Sequence, residues 1–145
     1  DPACLWADCL AFDRVAHHPQ TADRTRLQRA LSRYRGPFLP GESAPWALAC
    51  RERLRARYLG MAERLGALLE ADGDWNGAAD CYLHAIEAEP LAEGCYRRLM
   101  HAYAQLGRRA EALAVYQRCR QALLSRLGVS PVPETQALHR RLAGD

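Results

Sequence analysis

Gly73-Asp-Trp-Asn-Gly-Ala78-Ala-Asp-Cys-Tyr82 is followed, 34 residues on, by Gly107-Arg-Arg-Ala-Glu-Ala112-Leu-Ala-Val-Tyr116. The same offset relates Leu65 to Leu99 and Leu69 to Tyr103. A period of 34 residues is the length of a tetratricopeptide unit, two antiparallel helices joined by a tight turn. The residue types suit that reading. Leu65 and Leu69 lie four apart and share a helix face, as do Leu99 and Tyr103. Gly73 and Gly107 end the first helix of each pair, where a left-handed residue favours glycine. Ala78 and Ala112 keep the paired helices close, and Tyr82 and Tyr116 fill the space between repeats. Pro90 stops the second helix of the first pair. The second repeat has Leu124 at that position, so its helix runs on to about Leu127, where Gly128 ends it. Pro131 and Pro133 forbid immediate resumption. A last helix is expected from about Pro133 to Leu142, with Pro in its first turn and Glu134 near its positive end.

Upstream the period is lost, but helical patterning continues. Residues 44–71 read as one long helix with Pro45 in its first turn and an apolar stripe of Leu48, Leu54, Tyr58, Met61, Leu65 and Leu68. A second helix is expected from about Thr21 to Tyr34, and a shorter one from Asp8 to His17. Between Arg35 and Pro45, three prolines and two glycines exclude a continuous helix. Phe38 and Leu39 are expected to dock that loop on the helical body. Two repeats cannot bury their outer faces alone, so the flanking helices must close the stack. The fold expected is all-α: a tetratricopeptide-like right-handed stack of antiparallel helix pairs, about seven helices in all. It forms one domain over 1–145, with N-terminal helices at 1–43, repeat-like helices at 44–128 and a capping helix at 129–145.

Composition bounds the function. A chain of 145 residues with 49% hydrophobic content builds one real core. All 20 basic residues are arginine, and the net charge of +3 is too small to argue for nucleic-acid binding by itself. The charge is unevenly spread. Residues 1–57 carry 10 Arg against 6 acids, residues 58–90 carry 1 Arg against 7, and residues 91–145 carry 9 Arg against 4. An acidic middle between basic ends suits self-association or an acidic partner, although solvated helix faces also produce it. No apolar run approaches the ~18 residues of a membrane span, and no secretory leader is legible. The six cysteines are irregularly spaced, and four fall within helical patterns. They read as reduced, mostly buried thiols in a cytoplasmic protein.

Little in the sequence resembles catalytic or metal chemistry. Cys81 and His84 lie three apart on one helix, but a zinc site needs about four ligands at suitable spacing. Ser43 lacks the second glycine of a nucleophile elbow and reads as a helix cap. Asp72-Gly73-Asp74 lacks the remaining ligands of a calcium loop and reads as a turn, with Asp74 capping the next helix. No catalytic residue, metal site or cofactor is therefore expected. Arg51, Arg53, Arg55 and Arg57 stand apart. On a helix, Arg51 and Arg55 fall near one line, and Arg53 and Arg57 near another. They either pair with acids of the middle segment or meet an external anion or partner. With Arg64, Tyr96 and Arg97 they form the candidate protein-interaction surface. A groove lined by Arg57, Arg64, Tyr96 and Arg97 would suit an extended or helical peptide.

Several segments carry a family resemblance. They are Tyr34-Arg-Gly36-Pro-Phe38-Leu39-Pro40, the Trp46, Arg51 and Leu54 spacing, Pro90-Leu-Ala-Glu93, Leu99-Met100, Gly107-Arg-Arg-Ala110-Glu-Ala112-Leu113 with Tyr116, and Leu127-Gly128-Val-Ser-Pro131. From Tyr34 to the end, the chain resembles the bacterial transcriptional activator domain of Streptomyces antibiotic regulatory proteins and related regulators. Trp6, Asp8 and Phe12 are similar to the segment just after the family's DNA-binding domain. Glu89, Ala92 and Arg126 depart from the usual Asp, Arg and acid. The resemblance implies that a winged helix-turn-helix precedes this domain, and that DNA is contacted only through that separate unit. It implies that the present residues contact protein, either a second copy or a neighbouring domain, by self-association or signal relay. The alternative is a generic peptide-binding scaffold outside transcription.

Overall fold

The computed structural model describes residues 23–34 and 40–144. These form six helices and no strand: α1 (Arg24–Arg33), α2 (Pro45–Ala71), α3 (Trp75–Ala88), α4 (Glu93–Gln105), α5 (Arg109–Leu127) and α6 (Pro133–Ala143). About seven helices were expected from the sequence. The one placed over Asp8 to His17, and the docking of Phe38 and Leu39, lie outside the described residues. The chain divides into two compact units, residues 1–68 and 69–145, with the dividing point inside α2.

In the first unit, Asp23 caps α1 by accepting the Arg26 N–H at 2.8 Å. Leu27 and Ala30 turn inward, and Arg26, Arg29 and Arg33 turn outward. Tyr34, which closes the helix, stacks its ring on Tyr58 at 4.1 Å and 16°. α2 runs 27 residues without a break, because its one proline stands at the first position, where no helical N–H is missed. Ala47, Leu54, Tyr58, Met61 and Leu65 are its buried line, with steps of seven, four, three and four. Leu48 does not belong to it. It lies one residue, or about 100°, from Ala47 and is 48% exposed.

In the second unit, the two glycine turns are the same structure repeated. Gly73 and Gly107 have φ of 74° and 71°. Asp74 N–H donates to the Leu69 carbonyl and Gly73 N–H to that of Glu70. Thirty-four residues on, Arg108 N–H donates to Tyr103 and Gly107 N–H to Ala104. Both are Schellman closures, which satisfy the orphan carbonyls at a helix end. Asp74 then caps α3 through the Gly77 N–H at 2.9 Å. α3 packs on α4, α4 on α5, and α5 on α6, while α4 also reaches α6. Ala78 and Ala112 are fully buried, as close helix approach requires. Tyr82, Tyr96, Leu99 and Met100 fill the core, and Leu99 and Met100 each contribute roughly 1.5–3 kcal/mol by burial. Tyr116 is only half-buried and stacks on His139 of α6 at 3.9 Å.

Polar contacts fasten the elements of this unit. The two carboxylate oxygens of Glu70, in the last turn of α2, accept from the Tyr82 hydroxyl at 2.9 Å and from Arg98 at 3.1 Å. Glu93 accepts the Val132 N–H at 2.7 Å, so the first turn of α4 caps α6. Arg97 donates to the buried Thr135 hydroxyl at 3.2 Å. Arg109 donates to the Ala143 carbonyl at the other end of α6.

Candidate protein-interaction surface

The seven candidate residues fall on two helices in different units. Arg51, Arg53, Arg55, Arg57 and Arg64 lie along α2, and Tyr96 and Arg97 are neighbours on α4. Arg51 is half-exposed and donates to the Glu42 carbonyl at 3.0 Å. Arg55 pairs with Glu52 at 3.2 Å across one turn. Arg53 is exposed, with its guanidinium 3.9 Å from the Cys50 sulfur. Arg57 and Arg64 are half-buried and seven residues apart, so they share a face of α2.

The α4 residues have internal work. Tyr96 is 1% exposed, and its hydroxyl donates to the Pro90 carbonyl at 3.0 Å. Burial raises its pKa, against the opposing pull of Arg118. A ring so enclosed cannot line an open groove, so its expected place on the surface is corrected. Arg97 is half-buried and engaged with Thr135. Of the seven candidates only Arg53 is exposed, while Arg51, Arg55, Arg57, Arg64 and Arg97 are half-buried and Tyr96 is buried.

Two of the Arg51–Arg57 partners are nearby groups, the Glu42 carbonyl and the Glu52 carboxylate, both outside the acidic segment 58–90. Glu70 of that segment instead meets Arg98, from the basic segment after it. Arg108 pairs with Glu111 and stacks 4.5 Å over the Tyr103 ring at the start of α5. That hydrogen bond raises the Arg108 pKa and lowers that of Glu111.

Sequence reasoning passed over a second kind of surface. Trp46 and Leu48 on α2 are 61% and 48% exposed. Leu124, Leu127, Val129 and Val132 are 52%, 56%, 47% and 40% exposed. Leu124 occupies the position that Pro90 holds one repeat earlier, but only the structure places it off the buried line of Ala112, Val115, Cys119 and Leu123. Among the described residues, no group of three or more His, Cys, Asp or Glu could hold a metal ion. Cys50 and Cys81 are half-buried, and Cys95 and Cys119 are buried.

The described residues offer helices, a twice-used turn and an arginine-lined helix, and similarity to known proteins decides the class. The family model described as the bacterial transcriptional activator domain matches residues 10–143. The chain belongs to that family. The activator domain is also 36% identical over 126 residues to the regulatory protein AfsR of Streptomyces coelicolor. It is 35% identical over 127 residues to the regulatory protein AfsR of Streptomyces griseus. Each match covers 82% of this chain and 12% of the relative, so the chain spans only a small part of those proteins. The activator domain is thus a domain of transcriptional regulators. No described helix is long and apolar enough to cross a membrane.

Proposed function

We propose that this activator domain is the protein-contacting, regulatory part of a cytoplasmic transcriptional regulator, and that it performs no catalysis of its own. Its helices form a tetratricopeptide-like right-handed stack of antiparallel pairs. The observation that carries the reading is the Schellman turn repeated at 34-residue spacing inside a chain that the activator-domain family covers from 10 to 143. The domain self-associates, or relays a signal to a winged-helix unit that alone touches DNA. Association acts through effective concentration: two linked DNA-binding units engage two half-sites together, and the second binding step becomes intramolecular. The arginines of α2 supply the contact, since guanidinium forks suit carboxylates across an interface.

Light scattering across a concentration series tests this. The domain forms a dimer, and replacing Arg51, Arg53, Arg55 and Arg57 by Gln returns it to monomer while circular dichroism stays helical. Arg53→Glu, at the most exposed of the four, weakens the dimer by itself. A domain that stays monomeric at every concentration, and that binds no winged-helix unit of its own regulator, would sink the proposal.

A further inference from the structure

The end of α5 and the loop after it leave four large apolar side chains in water. Leu124, Leu127, Val129 and Val132 fall within nine residues of sequence, and each is at least 40% exposed. Single exposed apolar residues are ordinary, but a cluster marks a contact surface. Arg120, Leu124 and Leu127 stand at i, i+4 and i+7 and share one face of α5. The loop is held in place. The Glu93 carboxylate holds the Val132 N–H, Pro131 is buried, and Gln136 donates to its carbonyl at 2.6 Å. The patch is therefore preformed, which lowers the ordering cost of binding.

Charge says what covers it. From Arg118 to Val132 there are three arginines, Arg118, Arg120 and Arg126, and no acid. All three are exposed. A second copy laid on this patch by two-fold symmetry would set like charges against each other. The acidic face of α3, with Asp80, His84 and Glu87 exposed, offers no exposed large apolar side chain to fill it.

We propose that this patch seats the apolar stripe of an acidic amphipathic helix from another protein or domain, with Arg120 and Arg126 meeting carboxylates on the flanks of that helix. The binding mode is a helix laid on an apolar surface, with charge setting the choice of partner. It goes beyond the self-association reading and uses different residues.

The test uses two synthetic helical peptides with the same leucine stripe, one flanked by Glu and one by Lys. They are titrated into the isotopically labelled domain and followed by NMR. The Glu peptide shifts the amides of residues 120–132 saturably, and the Lys peptide binds at least about tenfold more weakly. Leu124→Ser with Leu127→Ser removes binding without unfolding, because both side chains are exposed. Arg120→Glu narrows the preference between the two peptides. Equal binding of both peptides, or no binding of either, overturns the proposal. Light scattering of the Leu124→Ser, Leu127→Ser variant separates the two readings. If its dimer is intact, the patch is free for another partner. If the dimer is lost, a second copy covers the patch, and the acidic-helix proposal falls while self-association stands.

Discussion

Both oxygens of Glu70 are occupied in the folded chain, one by the Tyr82 hydroxyl and one by Arg98. Tyr82→Phe removes one neutral-to-charged hydrogen bond and should cost about 1–2 kcal/mol. Glu70→Ala should cost more, about 2–3 kcal/mol, because it leaves the buried hydroxyl without its acceptor. Urea unfolding of both variants checks the order, and a more stable Glu70→Ala protein would contradict it. Burial pushes the Cys119 thiol up to about 12, and raises the Tyr82 phenol too, helped by the Glu70 hydrogen bond. The sign follows from linkage. Above its ordinary pKa each group has lost its proton in the unfolded chain but keeps it in the folded one, so rising pH favours unfolding. The melting temperature should be level near neutrality and fall as pH climbs past about 9. Cys119→Ala, which has no such proton, should fall less steeply. Tyr96 shows why single residues were hard to place from sequence. It and Arg97 are neighbours about 100° apart on a helix, and composition alone does not say which of the two faces inward.

Among elements, the turns were the most legible. A glycine with positive φ is needed where a helix ends in a Schellman closure, and the 34-residue spacing marked both. Gly73→Ala and Gly107→Ala should each cost about 1 kcal/mol, since an alanine Cβ is strained in the left-handed region. Similar losses at the two sites, read from denaturant midpoints, would match their shared geometry. No loss at either would show that the turns tolerate other conformations. α2 was legible as well: the expected span of 44–71 meets the observed Pro45–Ala71, because Pro45 and Gly73 punctuate it. The run-on of α5 past the repeat boundary to Leu127 followed from Leu124 standing in the proline position. What sequence could not supply was fastening between distant elements. Glu93 caps α6 from 39 residues away, and nothing in local pattern links a helix-start glutamate to a loop amide that far along. Leu48 was misplaced for a related reason: near a helix start, one residue of phase decides between core and water.

At the scale of the whole molecule, the family was legible from its motifs and the class of function followed from the family. The candidate surfaces were less so. The arginine run on α2 was conspicuous by charge, while the apolar patch at 124–132 reads in sequence like ordinary core. Only the fold shows that its side chains face outward.

The twice-used turn also governs where the chain can change in length. Between Leu69 and Arg108 the two closures fix a count of residues as well as a set of contacts. One residue inserted within α3 or α4 would rotate everything beyond it by about 100°, carrying Tyr82 or Leu99 away from the interior. A scan of single-alanine insertions should therefore show soluble yield collapsing across α3 and α4 and holding near Gly41 and Glu42, where the exposed backbone belongs to no helix. If the scan were flat, the number 34 would be a coincidence of sequence. A sharp dip would make it an inherited ruler, along which insertions and deletions are excluded and only substitution is free to act.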